Sequence, residues 1–97
     1  MASGIVIVHE FVGGTEDQYN AVIAAVHAAD GSLPRGQSFH LAGPTADGWM
    51  IVADHETLES WETFRDETLI PAMEAGIEGG FTTMPSERVF DVHHQQP

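Results

Sequence analysis

The segment from Gln37 to Glu56, QSFHLAGPTADGWMIVADHE, constrains the fold more than any other part of this chain. Gly43-Pro44 and Asp47-Gly48 are turn signals, and an apolar-rich run flanks them on each side. The segment reads as a β-hairpin, with strands predicted over Gln37–Ala42 and Trp49–His55. One strand-helix unit precedes it, and a helix and a strand follow.

Upstream, GIVIVHEF (Gly4 to Phe11) is rich in β-branched residues and apolar enough to be a central strand. Thr15 with Gln18 three residues on forms a capping box, and Glu16 and Asp17 suit the positive end of a helix dipole. A helix is predicted over residues 16–30, with Tyr19, Val22, Ile23 and Val26 on one face and Gly31 as its stop. Downstream, Thr57 caps a second helix whose stripe includes Leu58, Trp61, Phe64, Arg65 and Leu69. Pro71 falls inside that pattern and should bend the helix or end a segment near Ile70. Ile77 to Ser86 reads as a loop folding over a neighbouring element, residues 87–93 as the last strand, and Gln95–Pro97 as a tail.

The element order is therefore β-α-β-β-α-β, the split βαβ arrangement of ferredoxin-like folds. Right-handed crossovers put both helices on one face of a four-stranded antiparallel sheet. The other face is left bare, which calls for a partner, and pairing with a second copy about a two-fold axis is the simplest closed solution. No composition shift or linker divides the chain, so residues 1–97 form one domain. A lone domain of this size buries only roughly 60–65% of its unfolded surface, which again favours a homodimer.

Charge and composition exclude several functions. Three Arg and no Lys stand against fifteen Asp plus Glu, a formal net charge of −12, which repels phosphate backbones and anionic lipid. Nucleic-acid and membrane partners are not expected. The chain has no Cys, so thiolate chemistry and disulfides are excluded, and without Lys so is Schiff-base chemistry. No run has the length of a membrane span, and MASGIVIVHE lacks a basic leader, so a cytoplasmic protein is expected.

The hairpin register points to candidate functional residues. If Gly43 and Gly48 flank the loop, the opposed pairs are Ala42–Trp49, His40–Ile51 and Ser38–Ala53. One face then carries Ser38, His40, Ala42, Trp49, Ile51, Ala53 and His55; the other carries Phe39, Leu41, Met50, Val52 and Asp54. The second set is uniformly apolar enough to close against another chain. The first looks like a cavity wall facing the helices, to which Tyr19, Ile23, Trp61, Phe64 and Arg65 add from the helix stripes. His40 is the leading candidate for a catalytic residue and His9 the second, because imidazole both takes and gives protons near neutrality. Desolvation on a half-buried strand favours neutral, base-like imidazole, although His40 could equally be hydrogen-bonded within a packed core. Tyr19, Ile23, Trp49, Ile51, His55, Trp61, Phe64 and Arg65 are the candidate substrate-binding residues. His9, His40 and Glu10 lack a diagnostic metal-ligand spacing, and His55 is expected toward the opposite end of the sheet from His9 and His40, so no metal is assigned.

The run FHLAGPTADGWMIVADHETLESWETFRDETLIPAM, with GGTEDQY and IEGGF, resembles small bacterial proteins of the dimeric α+β barrel superfamily, including the antibiotic-biosynthesis-monooxygenase-like proteins. That resemblance implies two ferredoxin-like protomers closing a barrel, with small molecules bound between each sheet and its own helices. It also implies cofactor-independent oxygenation, or isomerase- or cyclase-like proton transfer, on an apolar aromatic or polyketide-like substrate. A non-catalytic, ligand-binding or stress-associated barrel is the other reading. The second helix has no His, so the haem-degrading branch is not matched.

Overall fold

The β-branched run at the start of the described chain forms the middle of the sheet. The computed structural model describes residues 4–96; Met1–Ser3, read from sequence as leading straight into a strand, and Pro97, the end of the tail, lie outside the described residues. Strand β1 (Ile5–Val12) pairs antiparallel with β3 (Gly48–His55) on one side and β4 (Ser86–Asp91) on the other. Strand β2 (Gln37–Pro44) completes the order β2-β3-β1-β4. This is the ferredoxin-like α+β fold that the element order implied. Ile5, Ile7, His9 and Phe11 occupy alternate positions of β1, and Ile5 and Ile7 pack with Trp61 in the core beneath the helices. Val6, Val8, Glu10 and Val12 take the other face. Glu10 is thus on the far side of the sheet from His9, and no joint site forms between them.

Helix α1 (Glu16–Val26) begins where its capping box predicts: the Gln18 N–H donates to Thr15 Oγ1 at 3.2 Å, and the Thr15 N–H donates to Gln18 Oε1 at 3.0 Å. It ends at Val26, four residues short of the predicted end at Asp30, with His27 already extended. Val26 is buried, but Ala28, Ala29 and Asp30 are exposed, so a further turn would bury nothing to offset its ordering.

Helix α2 (Leu58–Phe64) is capped by Thr57 and passes into a π-helical turn, Arg65–Leu69, then helix α3 (Ile70–Ala75). Pro71 has no N–H for the carbonyl of Glu67. The chain absorbs the break one turn earlier, where the Ile70 N–H donates to the Arg65 carbonyl. The expected break near Ile70 is therefore a change of helical winding, not a separation.

The hairpin differs from expectation in register. Its strands extend to Pro44 and from Gly48, and the pairs are Ala42↔Ile51 and His40↔Ala53. The slip is even, so His40, Ala42, Trp49, Ile51, Ala53 and His55 keep the face expected of them. Ser38 does not. A bulge between Gln37 and Phe39 puts Gln37 opposite His55 on the helix side and turns Ser38 away, where its hydroxyl donates to the Asp54 carboxylate.

Candidate functional site

Strand alternation directs His9 of β1, Ile51 of β3 and Glu87 of β4 into the space under the helices. That space is a cavity of about 230 Å³. Its wall is largely apolar, with Phe11 from β1, Val22 from α1, Trp61 from α2, Leu69 from the π turn and Met73 from α3. The loop after α3 closes one side through Ile77 and Phe81, and the Phe81 ring stacks on Phe11 at 3.7 Å between centroids. The polar groups on this wall are His9, Arg65 and Glu87.

His9 Nε2 lies 2.7 Å from Glu87 Oε2. A carboxylate only accepts, so Nε2 carries the proton and donates it. His9 Nδ1 has no partner among the described residues, yet it is not among the sealed, unsatisfied atoms. Its ring lies 5.7 Å from the Trp61 ring, tilted by 54°. Arg65 sits at the cavity rim and gives its Nε and Nη2 donors to Asp66, at 2.8 and 3.3 Å. Its guanidinium pKa is raised, first by the Asp66 hydrogen bond and further by the charges of Asp66, Glu62 and Glu87.

A smaller cavity of about 50 Å³ lies against Val26, His27, Gln37, His40, Ala53 and Phe64. It shares His9, Val22, Ile51, Trp61 and Leu69 with the larger one. Behind it runs a chain of hydrogen bonds whose direction can be read from one end. Ser60 Oγ donates to the Thr57 carbonyl at 3.0 Å, so it accepts from His55 Nδ1 at 3.3 Å. His55 Nε2 then accepts from Gln37 Nε2 at 3.2 Å, and Gln37 Oε1 accepts from His40 Nδ1 at 3.0 Å. His40 Nε2 is left to accept from the Tyr19 hydroxyl at 2.6 Å. Every bond has the same polarity, and both rings are neutral. Burial, and then His27, which meets His40 edge-on at 4.9 Å, push His40 down to about 4. Burial lowers His55 as well, against a smaller opposing effect of Asp54, and burial raises Tyr19.

The sequence candidates therefore separate. His9, Ile51, Trp61 and Arg65 line the larger cavity; Ile23, His40 and Phe64 line the smaller. Tyr19, Trp49 and His55 line neither. Tyr19 bonds His40 and packs on Trp49 at 5.4 Å, and His55 is fully buried. His55 also sits two pairing steps from His40, not at the opposite end of the sheet, because Gln37 pairs with His55 and His40 with Ala53; the Gln37 side chain bridges the two rings. Sequence reasoning did not single out Glu87, although alternation along β4 puts it on the face of Val89 and Asp91. Gln37 had no such signal, because only the bulge turns it inward.

No family model matches the chain, and no curated protein matches it significantly. Among the crystal structures that share its fold are two proteins of unknown function. One is the NE2512 protein of unknown function from Nitrosomonas europaea, 9% identical over 99% of this chain and 95% of that one, with a TM-score of 0.68. The other is a dimeric ferredoxin-like protein of unknown function from Thermobifida fusca, 17% identical over 95% of this chain and 93% of that one, with a TM-score of 0.60.

Proposed function

We propose that this chain is a small-molecule enzyme working as a homodimer of α+β barrel type, in the manner of the antibiotic-biosynthesis-monooxygenase-like proteins. Its chemistry is proton transfer on an apolar, aromatic or polyketide-like substrate, leading to cofactor-independent oxygenation, isomerisation or cyclisation. One observation carries the reading: His9, with one ring nitrogen that has no partner among the described residues, lines a largely apolar cavity. A base in a small, water-poor site beside an oriented substrate is what such chemistry requires. A cavity of this volume exceeds the ~150 Å³ that holds benzene, so one or two fused rings would fill it. His40 is the other candidate base, but both its nitrogens are bonded to the protein. Dimerisation is supported by the bare outer face of the sheet and by the dimeric Thermobifida fusca neighbour.

The test is a ligand carried through purification, identified by mass spectrometry and used as substrate. His9→Ala should keep binding and lose turnover by roughly 10²–10⁴-fold, as expected for removal of a general base. Tight binding without turnover in the wild type would instead favour the non-catalytic, ligand-sequestering role.

A further inference from the structure

The polar groups of the larger cavity specify more than the presence of a base. Glu87 holds His9 at Nε2, and this decides which nitrogen can react. Neutral imidazole has one proton; with that proton on Nε2 and directed at the carboxylate, the lone pair is on Nδ1. The same carboxylate stabilises the imidazolium that forms when Nδ1 takes a proton. Glu87 is 43% exposed on an edge strand, whereas the His9 side chain is 13% exposed. A surface carboxylate therefore orients a mostly covered imidazole from the solvent side.

The rim also selects by charge. Arg65 is the cation on this wall, but Asp66 occupies two of its donors, and Glu62 and Glu87 act on it as well. Three carboxylates facing one guanidinium leave the mouth net negative, on a molecule already at −12. An anion arriving there is repelled, and a neutral molecule is not. The interior, with Trp61, Leu69, Met73 and Phe81, offers an apolar bed without a second charge to receive one.

Building on the proposed function, we infer that Glu87 is the positioning residue that makes His9 Nδ1 the reacting atom, and that the substrate enters uncharged. Its chemical class is a compact apolar molecule with one weakly acidic hydrogen, next to a ketone carbonyl or on a phenol. In the step, the C–H or O–H bond breaks, its electron pair stays on the substrate as an enolate or phenolate, and the proton goes to Nδ1. The imidazolium faces Glu87 until the proton is returned. No oxidant or reductant takes part.

The experiment uses 2-tetralone, a neutral bicyclic ketone, as the probe in D₂O. Deuterium incorporation next to its carbonyl is followed by NMR, with the His9 tautomer read from ring-nitrogen shifts. Wild-type protein should accelerate incorporation over buffer and show the Nε2–H tautomer. His9→Ala should lose about a hundredfold or more, and Glu87→Ala roughly tenfold to a hundredfold with a mixed tautomer. Glu87→Gln keeps an acceptor, so it should restore the tautomer. An unchanged rate and tautomer in Glu87→Ala would overturn the role of Glu87 and leave the enzymatic reading standing. Tighter binding of 2-naphthoate than of 2-tetralone would overturn the neutral-substrate inference. Absence of exchange by the wild type would remove both this inference and the reading beneath it.

Discussion

His40 commits both ring nitrogens to its own protein, through Tyr19 and Gln37, while His9 commits one to Glu87 and leaves the other open. The two rings share a face of the sheet and have different physical jobs. His40 belongs to a one-way hydrogen-bond chain joining α1, β2, β3 and α2, which holds because both imidazoles are neutral. Adding a proton to His55 Nε2 would set it against the Gln37 amide; flipping that amide would then oppose the His40 Nδ1–H. The linkage sign follows. The pKa of His40 is lowered from 6.5 to about 4 in the folded state, so between those values the unfolded chain binds more protons. Stability is full above about pH 6.5 and falls as the pH drops toward about 4. Because the His40 ring is only half-buried, the full linkage value is discounted to about 1–2 kcal/mol. Urea titrations of wild type and His40→Gln across this range should show that extra loss in the wild type; parallel curves would contradict it. At this scale the sequence told which face His40 occupies, since alternation needs only parity. It did not show Gln37, because a bulge reverses parity and nothing in the QSF triplet announces one.

At the level of elements, the hairpin shows how a local error can leave the useful result intact. The turn falls inside the stretch read as one, but Gly43, Pro44 and Gly48 belong to the strands, which pair two positions further toward the tip. At the tip, Gly48 is also held from the β1 side, where its missing Cβ lets the chain from Phe11 to Gly14 close against it. A Cβ there would lie 2.0 Å from the Phe11 carbonyl oxygen and 2.7 Å from the Gly13 nitrogen. Both are backbone atoms, so neither can move aside cheaply. Gly48→Ala should cost about 3 kcal/mol, measured by denaturant unfolding. Gly43→Ala meets nothing within 4 Å and should stay within about 0.5 kcal/mol of the parent. Helix caps were legible because Thr15 and Thr57 act within three residues of themselves. The π turn was not, since the proline that requires a break does not say where along the helix it will be absorbed. That choice has a consequence for the site, because Arg65 and Leu69, the ends of the π turn, both line the larger cavity.

At the scale of the molecule, the helices among the described residues cover one side of the sheet. Leu41, Val12 and Phe90 on its outer face are 61%, 70% and 54% exposed, and β4 is exposed throughout. Residues 93–96 reach back along one end of this face, beside Val6, Phe39 and Phe90. The rest is open and largely apolar, with Glu10, Ser86 and Arg88 as polar positions, and it is the uncovered face that the bare-face argument from sequence anticipated. Sedimentation at micromolar concentration should give a dimer for the wild type and a monomer for Leu41→Glu; a monomeric wild type would contradict the dimer. Local pattern was sufficient to determine the element order, the ferredoxin-like sheet and the division of its faces, because capping, turn chemistry and alternation act between residues close in the chain. Pairing register, the inward turn of Gln37, the His9–Glu87 contact and the cavity beneath the helices depend on which distant strands and loops meet. His9 and Glu87 are far apart in sequence and become neighbours only when β4 docks beside β1, and that long-range packing is what decides which histidine keeps a nitrogen free.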